Sequence, residues 1–100
     1  MKNKHNITIV VPIYNPGKLL MNPINSILAQ TDQRFDLIFV DDGSDVTSKK
    51  LILDSGLTEF EYIYKQNEGL NLTLKFALNK VKTNFIYVLE QDDLIINDFI

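Results

Sequence analysis

The chain has 100 residues, of which 45% are hydrophobic and 23% charged, with a formal net charge of −3. That length supports one small domain with a core, and the acidic balance excludes any general attraction to nucleic acid or to an anionic membrane. There is no cysteine, so disulfides and thiolate metal sites are excluded and a cytoplasmic setting is favoured.

The polar lead, residues 1–6, precedes an apolar run that Pro12 and Asn15 interrupt, so no signal peptide is expected. No apolar run approaches the roughly 20 residues that a membrane helix needs. Ile7 to Ile13 reads as a first strand, apolar on both faces as buried parallel strands are. Pro12 cannot donate to a ladder and marks the end of that strand or a sheet edge. Asn15 is a candidate helix cap and Pro16 a first helical residue. Leu19, Leu20, Ile24, Ile27 and Leu28 recur at helical spacing and predict a helix to about Gln30, with Pro23 its weakest point.

Phe35 to Val40 predicts a second strand, and Ser44 or Asp45 caps a helix expected to run to Ser55 and stop at Gly56. Phe60 to Tyr64 predicts a third strand, followed by a turn at Gln66–Gly69. Leu70, Leu74, Ala77, Leu78 and Val81 form the apolar stripe of a third helix. Asn84 to Leu89 predicts a fourth strand. Strands alternating with helices in this way imply βαβ units, hence an α/β fold with a mainly parallel sheet. Residues 92–100 read as a loop and the opening turn of a helix. They end on apolar residues without a cap, so the chain is expected to be part of a longer one.

In a parallel sheet the carboxyl ends of all strands open on one edge. Residues 12–15, Asp41-Asp42, the 65–69 turn and residues 90–93 therefore converge on one rim, the place where such sheets bind ligands. Asp41-Asp42-Gly43-Ser44 is equally readable as a turn with a helix cap or as a carboxylate that accepts the imide N–H of a uracil ring. Glu90, Asp92 and Asp93 repel one another within four residues. A divalent ion such as Mn²⁺ or Mg²⁺ takes oxygen ligands of this kind, with substrate phosphates and waters completing its shell. Lys65 and Lys75 read as solvated. Neither a Walker loop nor a dinucleotide fingerprint is present.

Together these segments resemble the family-2 inverting glycosyltransferases of the GT-A fold. The matching pieces, in order, are Val10–Asn15, Ser26–Thr31, Val40–Ser44, Asn67–Leu70 and Leu89–Asp93. The resemblance implies a Rossmann-like three-layer sandwich of which this chain is the N-terminal half, a nucleotide-sugar-binding part. It implies that Pro12, Tyr14, Asn15, Asp41, Asp42, Asn67 and Gly69 bind the nucleotide, and that Asp92, with Glu90 and Asp93 nearby, binds the metal. The implied donor is a UDP-sugar and the implied acceptor a saccharide or lipid-linked sugar, at the inner face of the cell membrane, with peripheral membrane association of the full-length protein. The catalytic base is then expected beyond Ile100, and these residues alone are expected to be inactive. Glu90 stands where the family most often has Asp, Pro16 where an acidic residue is common, and Lys75 where Asn is common.

Two other classes remain open on the residues themselves. A nucleotidyltransferase needs a glycine-rich basic loop after the first strand, where this chain has Tyr14-Asn15-Pro16-Gly17-Lys18. A receiver-like signalling domain needs a carboxylate pair after the first strand and an Asp after the third, where this chain has Pro12-Ile13-Tyr14-Asn15 and Tyr64-Lys65-Gln66-Asn67, with no Asp at either.

Overall fold

The structure, a computed structural model, describes residues 5–96. Four strands, β1 (Ile7–Ile13), β2 (Asp36–Asp41), β3 (Glu61–Tyr64) and β4 (Phe85–Val88), form one sheet in the order β3-β2-β1-β4. Every pairing is parallel. Three helices connect them: α1 (Met21–Leu28), entered through a 3₁₀ turn at Gly17–Leu20, then α2 (Lys49–Asp54) and α3 (Leu70–Leu78). This is the α/β architecture the alternation predicts.

Strands β1 and β2 are central and buried on both faces. On one face Ile9, Val11, Ile13, Leu37 and Phe39 pack against Leu20, Ile24 and Ile27 from α1 and its lead-in, and against Ile52 of α2. On the other, Val10, Ile38 and Val40 pack against Ala77 of α3. The layering follows from handedness. The chain steps outward from β1 to β3, then returns across β1 to β4, and right-handed crossovers place the helices of the two directions on opposite faces. The point of reversal lies between β1 and β4, where open α/β sheets leave a crevice.

Pro12 sits in the penultimate position of β1. The even-numbered residues of β1 face β4, since Asn6 and Val10 accept the N–H groups of Phe85 and Leu89 at 3.1 and 2.9 Å. The next donor on that side would be Pro12, which has none, so the ladder stops at Leu89. Beyond it the chain turns away into the acidic segment.

Several local expectations change. Pro23 lies in the first turn of α1, where an absent N–H costs little, and the helix restarts from 3₁₀ to α just before it. Leu19 and Leu28 are exposed. Helix α2 has only six residues, and Ser48 precedes it without a side-chain cap. The inward face of α3 is Thr73 and Ala77, while Leu70 and Leu78 are half exposed. Residues 94–96 are not helical. Ile95 is buried against α1, its N–H donating to Ser26 Oγ at 3.1 Å. The remainder of the predicted C-terminal helical turn lies outside the described residues.

Candidate functional site

The four strand ends meet on one rim, and hydrogen bonds tie them together. Asp42 N–H donates to Ile13 O at 2.8 Å and Lys65 N–H to Asp41 O at 2.9 Å, extending the sheet's pairing past its last regular residues. Tyr14 N–H donates to Oε1 of Gln91 at 2.7 Å, joining the β1 and β4 loops. Asn15 adopts a left-handed φ of 46°, which asparagine tolerates. It caps no helix: its N–H donates to Ser44 Oγ and its Oδ1 accepts the N–H of Asp45, both at 2.8 Å.

Asp42 is the hub of the rim. Its carboxylate is nearly buried and accepts the N–H of Glu68 at 2.8 Å, the N–H of Gly69 at 2.9 Å and the Lys65 ammonium at 3.2 Å. Asn67 Nδ2 donates to the Asp42 carbonyl at 2.8 Å and leans on the carboxylate at 3.3 Å. Lys65 is partly buried and its side chain largely covered, contrary to the solvated position expected for it, because it is paired with both Asp42 and Glu68, the latter at 2.7 Å. Burial pushes the Asp42 carboxyl up, but the Glu68 N–H, Thr73, Lys65 and the Gly69 N–H outweigh it and hold the group below its ordinary value.

A carboxyl whose folded pKa is lowered stabilises the fold above its unfolded value, near pH 4, and that contribution is lost as pH falls further. The urea midpoint is therefore expected to decline as pH drops below about 4. The decline should be shallower in Asp42→Asn; equal slopes in the two proteins would rule out Asp42 as its source.

Asp41 lies beneath the rim, fully buried. Its carboxylate accepts the N–H of Ser44 at 2.9 Å and the hydroxyl of Tyr62. Burial and this carboxylate raise the Tyr62 phenol well above its usual range, so it stays a donor. Tyr64 closes the same loop by donating to Ser44 O at 2.9 Å. Asp41 thus holds the turn that presents Asp42.

A cavity of about 380 Å³ opens at the reversal point. Its walls are Pro12, Ile13 and Tyr14 after β1, Asp42 after β2, Asn67 and Gly69 in the third turn, Leu70 and Thr73 of α3, and Glu90, Gln91 and Asp92 after β4. The sequence profile of glycosyl transferase family 2 matches residues 8–100. The chain belongs to that family.

An uncharacterized glycosyltransferase of Rickettsia typhi is 32% identical over 88 residues, which is 88% of this chain and 27% of that protein. Glycosyltransferase GlyA of Streptococcus pneumoniae is 29% identical over 96 residues, 94% of this chain and 14% of that protein. The chain therefore spans about a quarter or less of the length of these relatives. Among solved structures, residues 1–349 of S. aureus TarS superpose with a TM-score of 0.82 at 22% identity, over 92% of this chain and 29% of that one. Mannosyltransferase PcManGT of Pyrobaculum calidifontis superposes with a TM-score of 0.78 at 18% identity, over 93% and 30%. The fold is that of the N-terminal part of GT-A glycosyltransferases.

Seven of the residues singled out for this family line the one cavity: Pro12, Tyr14, Asp42, Asn67, Gly69, Glu90 and Asp92. Three do not. Asn15 borders a neighbouring groove with Lys18 and Asp45, Asp41 is buried beneath, and Asp93 turns aside, its Oδ1 accepting the Leu94 N–H at 3.0 Å. Ile13 and Gln91, within the segments expected on the rim but given no role, also line the cavity, as do Leu70 and Thr73 of α3, which were not anticipated. For Thr73 a signal existed: it is a polar residue three after Leu70 and four before Ala77, on the helix's apolar side.

Among the described residues, no three acidic or histidine side chains converge as a ready-made metal cage. Glu90 and Asp92 nevertheless suit a divalent ion that binds together with a substrate. They present hard oxygen donors on the wall of one cavity, and neither carboxylate is hydrogen-bonded or ion-paired to another described residue. One or two carboxylates with substrate phosphates and waters is the usual arrangement for such ions. None of the described helices is long and apolar enough to cross a membrane.

Proposed function

We propose that this chain is the donor-binding part of a glycosyltransferase that moves a sugar from a nucleoside diphosphate to a hydroxyl of a saccharide or lipid-linked acceptor, with inversion. The observation that carries the reading is the cavity at the sheet's reversal point, lined by apolar groups and by two carboxylates that have no partner among the described residues. It is supported by related folds: TarS is known in complex with UDP and with UDP-GlcNAc, and PcManGT in complex with GDP-Man and Mn²⁺.

In this reading Pro12 and the half-exposed ring of Tyr14 flank the base. The turn clamped by Asp42, with Asn67 and Gly69, forms the nucleoside wall. Glu90 and Asp92 would hold Mn²⁺ or Mg²⁺, and Asp93 shapes their loop. When bound, the ion offsets the charge that grows on the leaving diphosphate. The acceptor oxygen attacks the anomeric carbon while the bond to the diphosphate oxygen breaks, the electron pair leaving on that oxygen. The acceptor's proton passes to a base supplied by protein beyond these residues. This part alone is expected to bind donor and transfer nothing.

Calorimetric titration of UDP, with and without Mn²⁺, tests the reading. Mn²⁺ is expected to tighten binding at least about tenfold, equivalent to about 1.4 kcal/mol, and Asp92→Ala is expected to remove that gain. If neither UDP nor GDP binds in the presence of Mn²⁺, the reading fails.

A further inference from the structure

We propose that Ser26 of α1 and Gln30, just past its end, are positioning residues for the acidic loop: they latch the downstream end of that loop to α1 and so keep Glu90 and Asp92 placed to share one divalent cation. The inference rests on the nucleotide- and metal-binding reading above. It gives a role to Ser26–Thr31, the one family-like segment that contributes nothing to the wall of the cavity.

The loop leaves the sheet at a fixed point, where the buried Leu89 donates its N–H to Val10 O at 2.9 Å. It is fixed again at Ile95, which is 3% exposed and donates its N–H to Ser26 Oγ at 3.1 Å. The Ser26 hydroxyl donates in turn to Pro23 O at 2.8 Å, which leaves its oxygen free to accept from Ile95. Gln30 is 4% exposed, and its Nε2 donates to Ile96 O at 2.5 Å while leaning on Ser26 O at 3.4 Å. Residues 94–96 belong to no helix or strand, so the contacts with α1, and not a ladder, fix where the loop ends. Helix α1 is a firm anchor, because Ile24 and Ile27 are fully buried in the core.

Both carboxylates hang between these two anchors. Glu90 follows Leu89 directly, Asp92 precedes Ile95 by three residues, and the Asp93 N–H closes a turn on Glu90 O at 3.0 Å. The upstream anchor is part of the sheet, whereas the downstream one depends on two polar side chains. A loop pinned at both ends has little backbone freedom left to lose when a cation gathers its carboxylates, and a loop released at one end must be ordered as the cation binds. The cost of breaking the latch therefore falls on the cation-dependent part of nucleotide binding. The nucleoside wall is spared, since Asp42 and Asn67 are tied to each other and not to α1.

The test is calorimetric titration of UDP or GDP, whichever binds more tightly, with and without Mn²⁺, into the protein and its Ser26→Ala, Gln30→Met and Ser26→Thr variants. Hydrogen exchange without ligand is followed alongside. Methionine keeps the volume of Gln30 without its donors, and threonine keeps the hydroxyl of Ser26. Expected in Ser26→Ala and Gln30→Met are unchanged binding without Mn²⁺ and a gain from Mn²⁺ that is smaller by about threefold or more. Exchange of the Ile95 amide should quicken about tenfold or more in Ser26→Ala, and Ser26→Thr should restore both. Thr83→Val is the control for lost stability, since it breaks the 2.6 Å hydrogen bond to Thr8 near the opposite end of the sheet; it should lower Tm and keep the full gain. Latch variants that lower Tm yet keep the gain overturn the inference and spare the wider reading, as does a loss that is equal with and without Mn²⁺ or is matched by Thr83→Val. Failure of the unaltered protein to bind either nucleotide with Mn²⁺ overturns both.

Discussion

Asp42→Ala is expected to cost about 3–5 kcal/mol of stability, the range for stranding one member of a buried ion pair. Small domains have only about 5–15 kcal/mol in total, so the variant should be largely unfolded on warming. The cause is what the substitution leaves behind. The side chain of Lys65 is 9% exposed and that of Asp42 8%, so the ammonium would keep Glu68 but lose its buried partner. The N–H groups of Glu68 and Gly69 would lose their acceptors as well. Urea unfolding measures the loss, and Asp42→Ala combined with Lys65→Met separates its parts. If stranded charge dominates, the double variant should regain most of the stability. A loss below about 1 kcal/mol in the single variant would mean that Lys65 behaves as a surface group. A consequence for binding studies is that nucleotide affinity in Asp42→Ala must be read against its folded fraction.

Gly43→Ala should be the most damaging of the glycine substitutions, at about 2–4 kcal/mol. Gly43 has φ of +78°, where a side chain alone is strained. A Cβ there would also lie 2.7 Å from the backbone N of Asn67 and 3.0 Å from its Cβ. Backbone cannot swing aside as a flexible side chain can, so the 65–69 turn would have to move off Asp42. At Gly17, φ is +59° but nothing lies within 4 Å of an added Cβ. Gly17→Ala is therefore expected to show only the conformational cost of about 1–2 kcal/mol. Thermal unfolding of the two variants side by side checks this: if they fall equally, the close approach of Gly43 to Asn67 carries no weight.

The strands were legible because their runs of β-branched and aromatic residues are short and bounded by turn residues. The convergence of Pro12, Asp42, Asn67 and Asp92 followed from parallel topology alone. What escaped the sequence is set by contacts distant along the chain. Lys65 reads as a solvated surface lysine until the fold brings Asp42, 23 residues away, to meet it. Asp41 and Asp42 look alike in sequence, yet one is a buried brace for Ser44 and Tyr62 and the other borders the cavity. Helix α3 misled because its leucines outnumber its inward residues. The sheet beneath is already filled by Val10, Ile38 and Val40, so the small Ala77 and Thr73 face it and the leucines turn outward. Helix α2 came out short because Ser44 and Asp45, expected to cap it, are engaged by Asn15 and Tyr64 instead.

The cross-ties of the rim bear on the entropy of binding. Tyr14 is fastened through Gln91, Asn15 through Ser44 and Asp45, and the 65–69 turn through Asp42, all without any ligand. A molecule entering the cavity therefore meets a main chain already fixed on its nucleoside side, and what remains to be ordered there is side chains such as the half-exposed Tyr14 ring, at about 0.5–1.5 kcal/mol each. Glu90 and Asp92 are the exception, since no other described residue holds their carboxylates. Association should accordingly be quick and rigid at the base end, with conformational adjustment concentrated where the phosphates and their cation arrive.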